Sequence, residues 1–173
     1  MLSIQKCELP EHALLHSYVE KLSYVDCYTT VVAGSISHSE YVMAFYTTWL
    51  FKLERLILKW FIDKTSSDQL AEKMARGEIN TFAAWHVESR AENQLLMCDF
   101  KHRTRSWFML EALAINDKTH TRLYFGSAVV PLKTSKPNQA KFGKLFYLLI
   151  TLHKAYSILL LYYAKNRLLT ACK

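Results

Sequence analysis

Eight side chains have types and positions suited to a small-molecule site: Trp85, Asp99, Ser106, Phe108, Phe125, Ser127, His153 and Tyr156. His153 and Asp99 are the pair able to move a proton near neutral pH, provided their surroundings shift them toward it. Each also has a plainer reading. His153 then hydrogen-bonds a strand backbone in the core, and Asp99 is a turn carboxylate paired with Arg103 or water. Ser106 and Ser127 offer hydroxyls, or simply make room for a helix. Trp85, Phe108, Phe125 and Tyr156 are core aromatics or the platform of a ligand. The spacing fixes no Ser–His–Asp geometry, so no nucleophilic triad is assigned. Glu54 stands among Leu50, Ile57, Leu58 and Phe61 on the apolar side of its helix. A buried carboxylate there needs a partner, such as an arginine from a strand.

Metal and cofactor chemistry is not expected. The four cysteines, Cys7, Cys27, Cys98 and Cys172, have no CxxC spacing, and His12 and His16 lack a third ligand nearby. Four glycines in the whole chain make no phosphate-cradling loop. The N-terminal residues lack a basic region followed by an apolar run, so no secretory signal is read, and reduced thiols in a cytoplasm are expected.

The elements that must position these residues follow from periodicity. A length of 173 residues, 51% of them hydrophobic, is enough for one domain (residues 1–173) with a full core. Tyr24 to Val32 is β-branched and aromatic, a strand. Ser37 and Glu40 have capping-box spacing ahead of a helical region from Ser39 to Ile62, with a weak point at Thr47–Thr48. There Thr48, Lys52, Arg55, Lys59 and Asp63 make a polar stripe. Gln69 to Arg76 is a short helix stopped by Gly77.

Four strands follow, Phe82–Arg90, Gln94–Phe100, Thr104–Ile115 and Thr119–Val130, joined by short polar turns as antiparallel hairpins. Turns centred on Lys101–His102 and Asp117–Lys118 put Leu95, Met97, Asp99, Thr104, Ser106, Phe108, Leu110, Leu123, Phe125, Ser127 and Val129 on one face. Phe100, Arg103, Arg105, Trp107, Glu111, Arg122 and Tyr124 fall on the other, which its charges mark as solvent-facing. In the first hairpin a three-residue turn turns Trp85 and Val87 inward, and a two-residue turn turns His86 inward.

The chain ends in a long helix, about Gln139 to Leu169. Its length approaches a bilayer span, but Lys154 at its centre opposes insertion by roughly 3 kcal/mol. Lys144, Tyr147, Thr151, Lys154, Tyr162 and Lys165 form a narrow polar stripe, interrupted by Ile158. Leu145, Leu149, Leu152, His153, Tyr156, Leu160 and Tyr163 lie opposite. That pattern fits a helix packed on a sheet, with His153 inward and Lys154 in water.

Charge is uneven. The first 117 residues hold all 15 acidic residues and 12 basic ones; the last 56 hold ten basic residues and no acidic ones. This is an ordinary solvated basic face, or one that makes peripheral contact with an anionic membrane. No Lys/Arg run of five supports nucleic-acid binding.

The order of elements, a strand, paired helices, a short helix, antiparallel strands and one long C-terminal helix, resembles the helix-grip layout of the START-like (SRPBCC) superfamily, which includes polyketide cyclases and lipid-transfer domains. The stretches FYTTWLFKLERLIL, QLLMCDF, TRSWFML and LYFGSAVVP are similar to those of uncharacterised bacterial proteins. The resemblance implies an α+β fold in which a curved antiparallel sheet wraps the C-terminal helix. It also implies a cavity between them that binds or carries a hydrophobic small molecule: a lipid, a sterol-like compound or an aromatic. A cyclase- or isomerase-type enzyme with Asp99 and His153 as acid and base is the alternative on the same fold. A membrane-associated protein using the basic, apolar C-terminal helix is the third.

Overall fold

The computed structural model describes residues 4–20, 23–53, 56, 67–131 and 144–171. Glu54 and the polar stripe beyond Lys52 lie outside them, as do Ile57, Leu58 and Phe61. The fold is α+β: a curved, open, seven-stranded antiparallel sheet with a C-terminal helix. The strands are β1 (Gln5–Lys6), β2 (Tyr24–Ala33), β3 (Thr81–Phe82), β4 (Trp85–Ala91), β5 (Gln94–Asp99), β6 (Thr104–Ile115) and β7 (Lys118–Val129). Their order in the sheet is β1-β2-β7-β6-β5-β4-β3. The first long strand therefore pairs with the last. Two of the seven are two-residue strands: β1 was not expected, and β3 takes in the start of the expected strand Phe82–Arg90, which the structure divides in two.

The helices that lie wholly within the described residues are α1 (His16–Val19), α2 (His38–Tyr46), α3 (Asp68–Ala75) and α4 (Lys144–Ala171). The capping box forms as its spacing predicts: Glu40 N–H donates to Ser37 Oγ at 3.3 Å, and Ser37 N–H to Glu40 Oε2 at 2.8 Å. The helix breaks at Thr47–Thr48, also as expected. Thr48 is buried rather than part of a wet stripe, because it caps the next turn by accepting from Phe51 N–H at 3.2 Å. Gly77 ends the turn after α3 with φ +81°, a conformation that favours glycine.

The β5–β6 hairpin has the expected register, with Cys98 opposite Arg105. The β6–β7 turn falls one residue early, on Asn116–Asp117, both with positive φ, as a tight two-residue hairpin requires. Register slides by two residues there, so every face is kept. The β4–β5 turn has two residues, Glu92–Asn93, since Ala91 pairs with Gln94. Yet Trp85 and Val87 still face the helices. A bulge between Val87 and Ser89 adds one residue and reverses the alternation.

Helices α2, α3 and α4 pack on one face of this sheet, α4 against α2, β2 and β7. The opposite face, read from its charges as solvent-facing, is so only in part: Phe100 is exposed and Arg103, Glu111 and Arg122 are partly so, but its centre is covered. Segment 7–20 lies over it and buries Ala13, Leu15 and Tyr18 against Cys27, Leu96, Trp107, Met109, Tyr124 and Ala128. Arg105 is 8% exposed there and pairs with Glu88 at 2.8 Å while lying 4.7 Å from the Tyr18 ring centroid. Gln94 ties the segment down: its Oε1 accepts from Leu14 N–H and Trp107 Nε1–H, each at 2.9 Å, and its Nε2 donates to His12 O at 3.1 Å.

In α4 the buried line is Ser157, Leu160, Leu161, Ala164 and Leu168, with His153 half-buried above it and Lys154 exposed. Leu152 is 65% exposed, not inward. Lys165, expected in water, reaches back to donate to Thr30 Oγ1 at 3.2 Å. Among the described residues no helix is long and apolar enough to cross a membrane.

Candidate functional site

Four central strands contribute one cross-strand row of side chains to the helix face: Asp26, Ser127, Ser106 and Met97. Three of the four are short. Where α4 crosses this row, the sheet cannot fill the space beneath it. A cavity of about 270 Å³ remains, walled by Phe45, Phe51, Trp85, Phe125, Tyr156 and Leu160, with Thr104, Arg105, Ser106, Ser127, His153 and Ser157 completing its lining.

Six of the eight candidate residues line it: Trp85, Ser106, Phe125, Ser127, His153 and Tyr156. Two are placed elsewhere. Asp99 closes the β5–β6 turn, its Oδ1 accepting from Arg103 N–H at 2.6 Å and Thr104 N–H at 2.8 Å. Its carboxylate serves the turn backbone, because a strand-end Asp is within reach of the amides that follow it. Phe108 is fully buried in an aromatic cluster, 4.7 Å from Phe45 and 5.4 Å from Phe125 between ring centroids. It packs behind the cavity wall.

The polar end of the cavity is a hydrogen-bonded chain. Ser127 Oγ donates to Asp26 Oδ1 at 2.5 Å and stands 2.7 Å from His153 Nε2. Tyr24 O–H donates to the second Asp26 oxygen at 3.1 Å. A serine has one proton to give. With that proton directed to the Asp26 carboxylate, Nε2–H of His153 is the donor to Ser127, and Nδ1 is the acceptor of the neutral ring.

His153 is half-buried, with Nε2 3.9 Å from Asp26 Oδ2 and its ring 6.3 Å from that of Tyr24. Burial lowers its pKa below the ordinary histidine value, opposed by the Asp26 charge. Burial and the same carboxylate raise Tyr24 well above the ordinary phenol range. Lys154 Nζ lies 5.9 Å from the centroid of the Tyr24 ring.

The order of this chain matters. In a nucleophilic triad histidine stands between carboxylate and serine and takes the serine proton. Here serine stands between, so His153 does not activate it. The arrangement instead fixes an imidazole at the rim of an apolar space.

Asp26 is the residue that sequence reasoning missed. The strand was recognised, but not its one carboxylate. The signal was present: Asp is rare inside β-branched strands, and it alternates with Tyr24 and Tyr28 on one face. No family model matches the chain, and no curated protein or solved structure matches it either.

Proposed function

We propose that the protein binds a compact, mostly apolar molecule with one polar group, held between the sheet and α4. The observation that carries this is the cavity itself: aromatic walls ending in the Asp26–Ser127–His153 chain. A mostly apolar space with a few placed polar groups is the usual make-up of a ligand site. Its volume of about 270 Å³ lies just under the ~300–1,000 Å³ of such sites, which favours a small aromatic over a whole lipid or sterol. The START-like, helix-grip reading is supported by the pairing of the first long strand with the last and by the helix laid over them.

A simple phenol presents this chemistry. Titrating the full-length protein into 4-fluorophenol, followed by 19F NMR, should broaden and shift the resonance. Ser106→Phe, which fills the space, should abolish the effect while circular dichroism stays native. An unchanged resonance with the wild-type chain, or equal shifts with the filled variant, would refute the reading.

The hydrogen-bonded chain favours one further reading, an isomerase- or cyclase-type reaction with His153 as proton carrier. Asp26, not Asp99, is then the carboxylate behind it. His153→Gln separates the two readings: a carrier changes only in affinity, whereas an enzyme loses turnover.

A further inference from the structure

On the opposite face of the sheet, away from the cavity, His86, Cys98 and His102 bring one ligand atom each to within 4.8 Å of one another. We propose that these three side chains form a binding site for a zinc ion. The donor set is one sulfur and two imidazoles, the ligands preferred by zinc.

The fold builds this cluster. His86 and Cys98 are directly paired across β4 and β5. They share the outward face because the Val87–Ser89 bulge resets the alternation of β4. His102 comes from the following turn, with φ +55°, and its N–H donates to Asp99 O at 2.9 Å. Arg105 Nη1 holds the same residue by donating to His102 O at 2.7 Å. The turn is tied further by the Asp99 carboxylate. Cys98 Sγ already lies 3.4 Å from His102 Nδ1, and the two imidazole centroids are 5.2 Å apart. Two ligands on paired strands and a third on a tied turn move little on closing around an ion.

A cysteine thiol must lose its proton to ligate a metal ion. Binding is then an exchange: Zn²⁺ takes the sulfur lone pair, the S–H bond breaks, and one proton leaves to solvent. Cys98 is buried, His86 half-buried and His102 exposed, which gives the ion a way in. Three protein ligands leave a fourth tetrahedral position for water, the form of an open zinc site.

No zinc signature was legible here. Two of the ligands meet only through strand pairing, and the spacing between His86 and Cys98 depends on the bulge.

The test is cobalt and zinc binding by the full-length, chelator-treated protein. One equivalent of Co²⁺ should give the visible bands of a tetrahedral site and a thiolate charge-transfer band. Zn²⁺ should displace it and raise Tm. Cys98→Ser should remove the charge-transfer band. His102→Ala, at an exposed position, should weaken zinc by more than about tenfold, the scale on which even supporting residues act. Cys7→Ser should change nothing. Absence of stoichiometric binding, or binding that survives both Cys98→Ser and His102→Ala, would overturn the site.

Discussion

Two neighbouring rows of side chains cross the same four strands and do opposite things. Toward the helices stand Asp26, Ser127, Ser106 and Met97; one residue along each strand, toward segment 7–20, stand Cys27, Gly126, Trp107 and Leu96. In the second row the largest side chain faces the smallest. A Cβ on Gly126 would meet Trp107 Cε3 and Leu15 Cδ2, each at 2.9 Å, so the absent side chain is the space that those two occupy. That face is filled. In the first row serine faces serine, and the cavity lies between them and α4. Strand alternation thus lets one sheet carry a packed face for stability and an unfilled face for binding.

The comparison breaks most clearly at Trp107. Trp107→Ala should lower stability by about 3–5 kcal/mol in urea unfolding, the usual cost of removing a large buried aromatic. Gln94→Leu comes next. It leaves Trp107 Nε1–H, Leu14 N–H and His12 O without their common partner, and about 2–4 kcal/mol should be lost. Hydrogen exchange should show the loss concentrated in segment 7–20, with α2 and α4 still protected. Equal deprotection of both faces would show that they are not separable.

Acid should act on the helix face. Burial pushes His38 down to about 4, below its ordinary 6.5. The unfolded chain therefore takes up this proton first, and stability should fall as pH drops from about 6.5 to about 4. The loss is about 2–3 kcal/mol. His153, also lowered, adds a slope of the same sign. His38→Gln should flatten most of it in pH-dependent unfolding. The smallest effect is expected at Ser106→Val, under about 1 kcal/mol, because the cavity takes the added methyl groups without overpacking. The same change should weaken 4-fluorophenol binding. A large loss of stability there would mean that the row is already filled.

Much of this was legible locally. Alternation along the last two long strands placed Ser106, Phe108, Phe125 and Ser127 on one face, and that assignment survived a two-residue slide in register because the side-chain period is two. The charged residues on the other face misled. Arg105 was read as a mark of solvent, yet it is buried beside Glu88 and Tyr18, a pairing contributed by β4 and by segment 7–20. Composition reports what a side chain prefers, not which distant segment will cover it.

The sequence by itself determined the long elements, the faces of the last two long strands, and the neighbouring contrast of His153 inward and Lys154 outward, all consequences of short-range periodicity. Only the tertiary structure decided what met across those faces. It set Asp26 behind Ser127 and His153, turned Asp99 to its own turn, and laid segment 7–20 over Trp107. It also drew His86, Cys98 and His102 together through one bulge. Each of these depends on pairing between residues far apart in the chain, and a single extra residue in a strand is enough to change the partner.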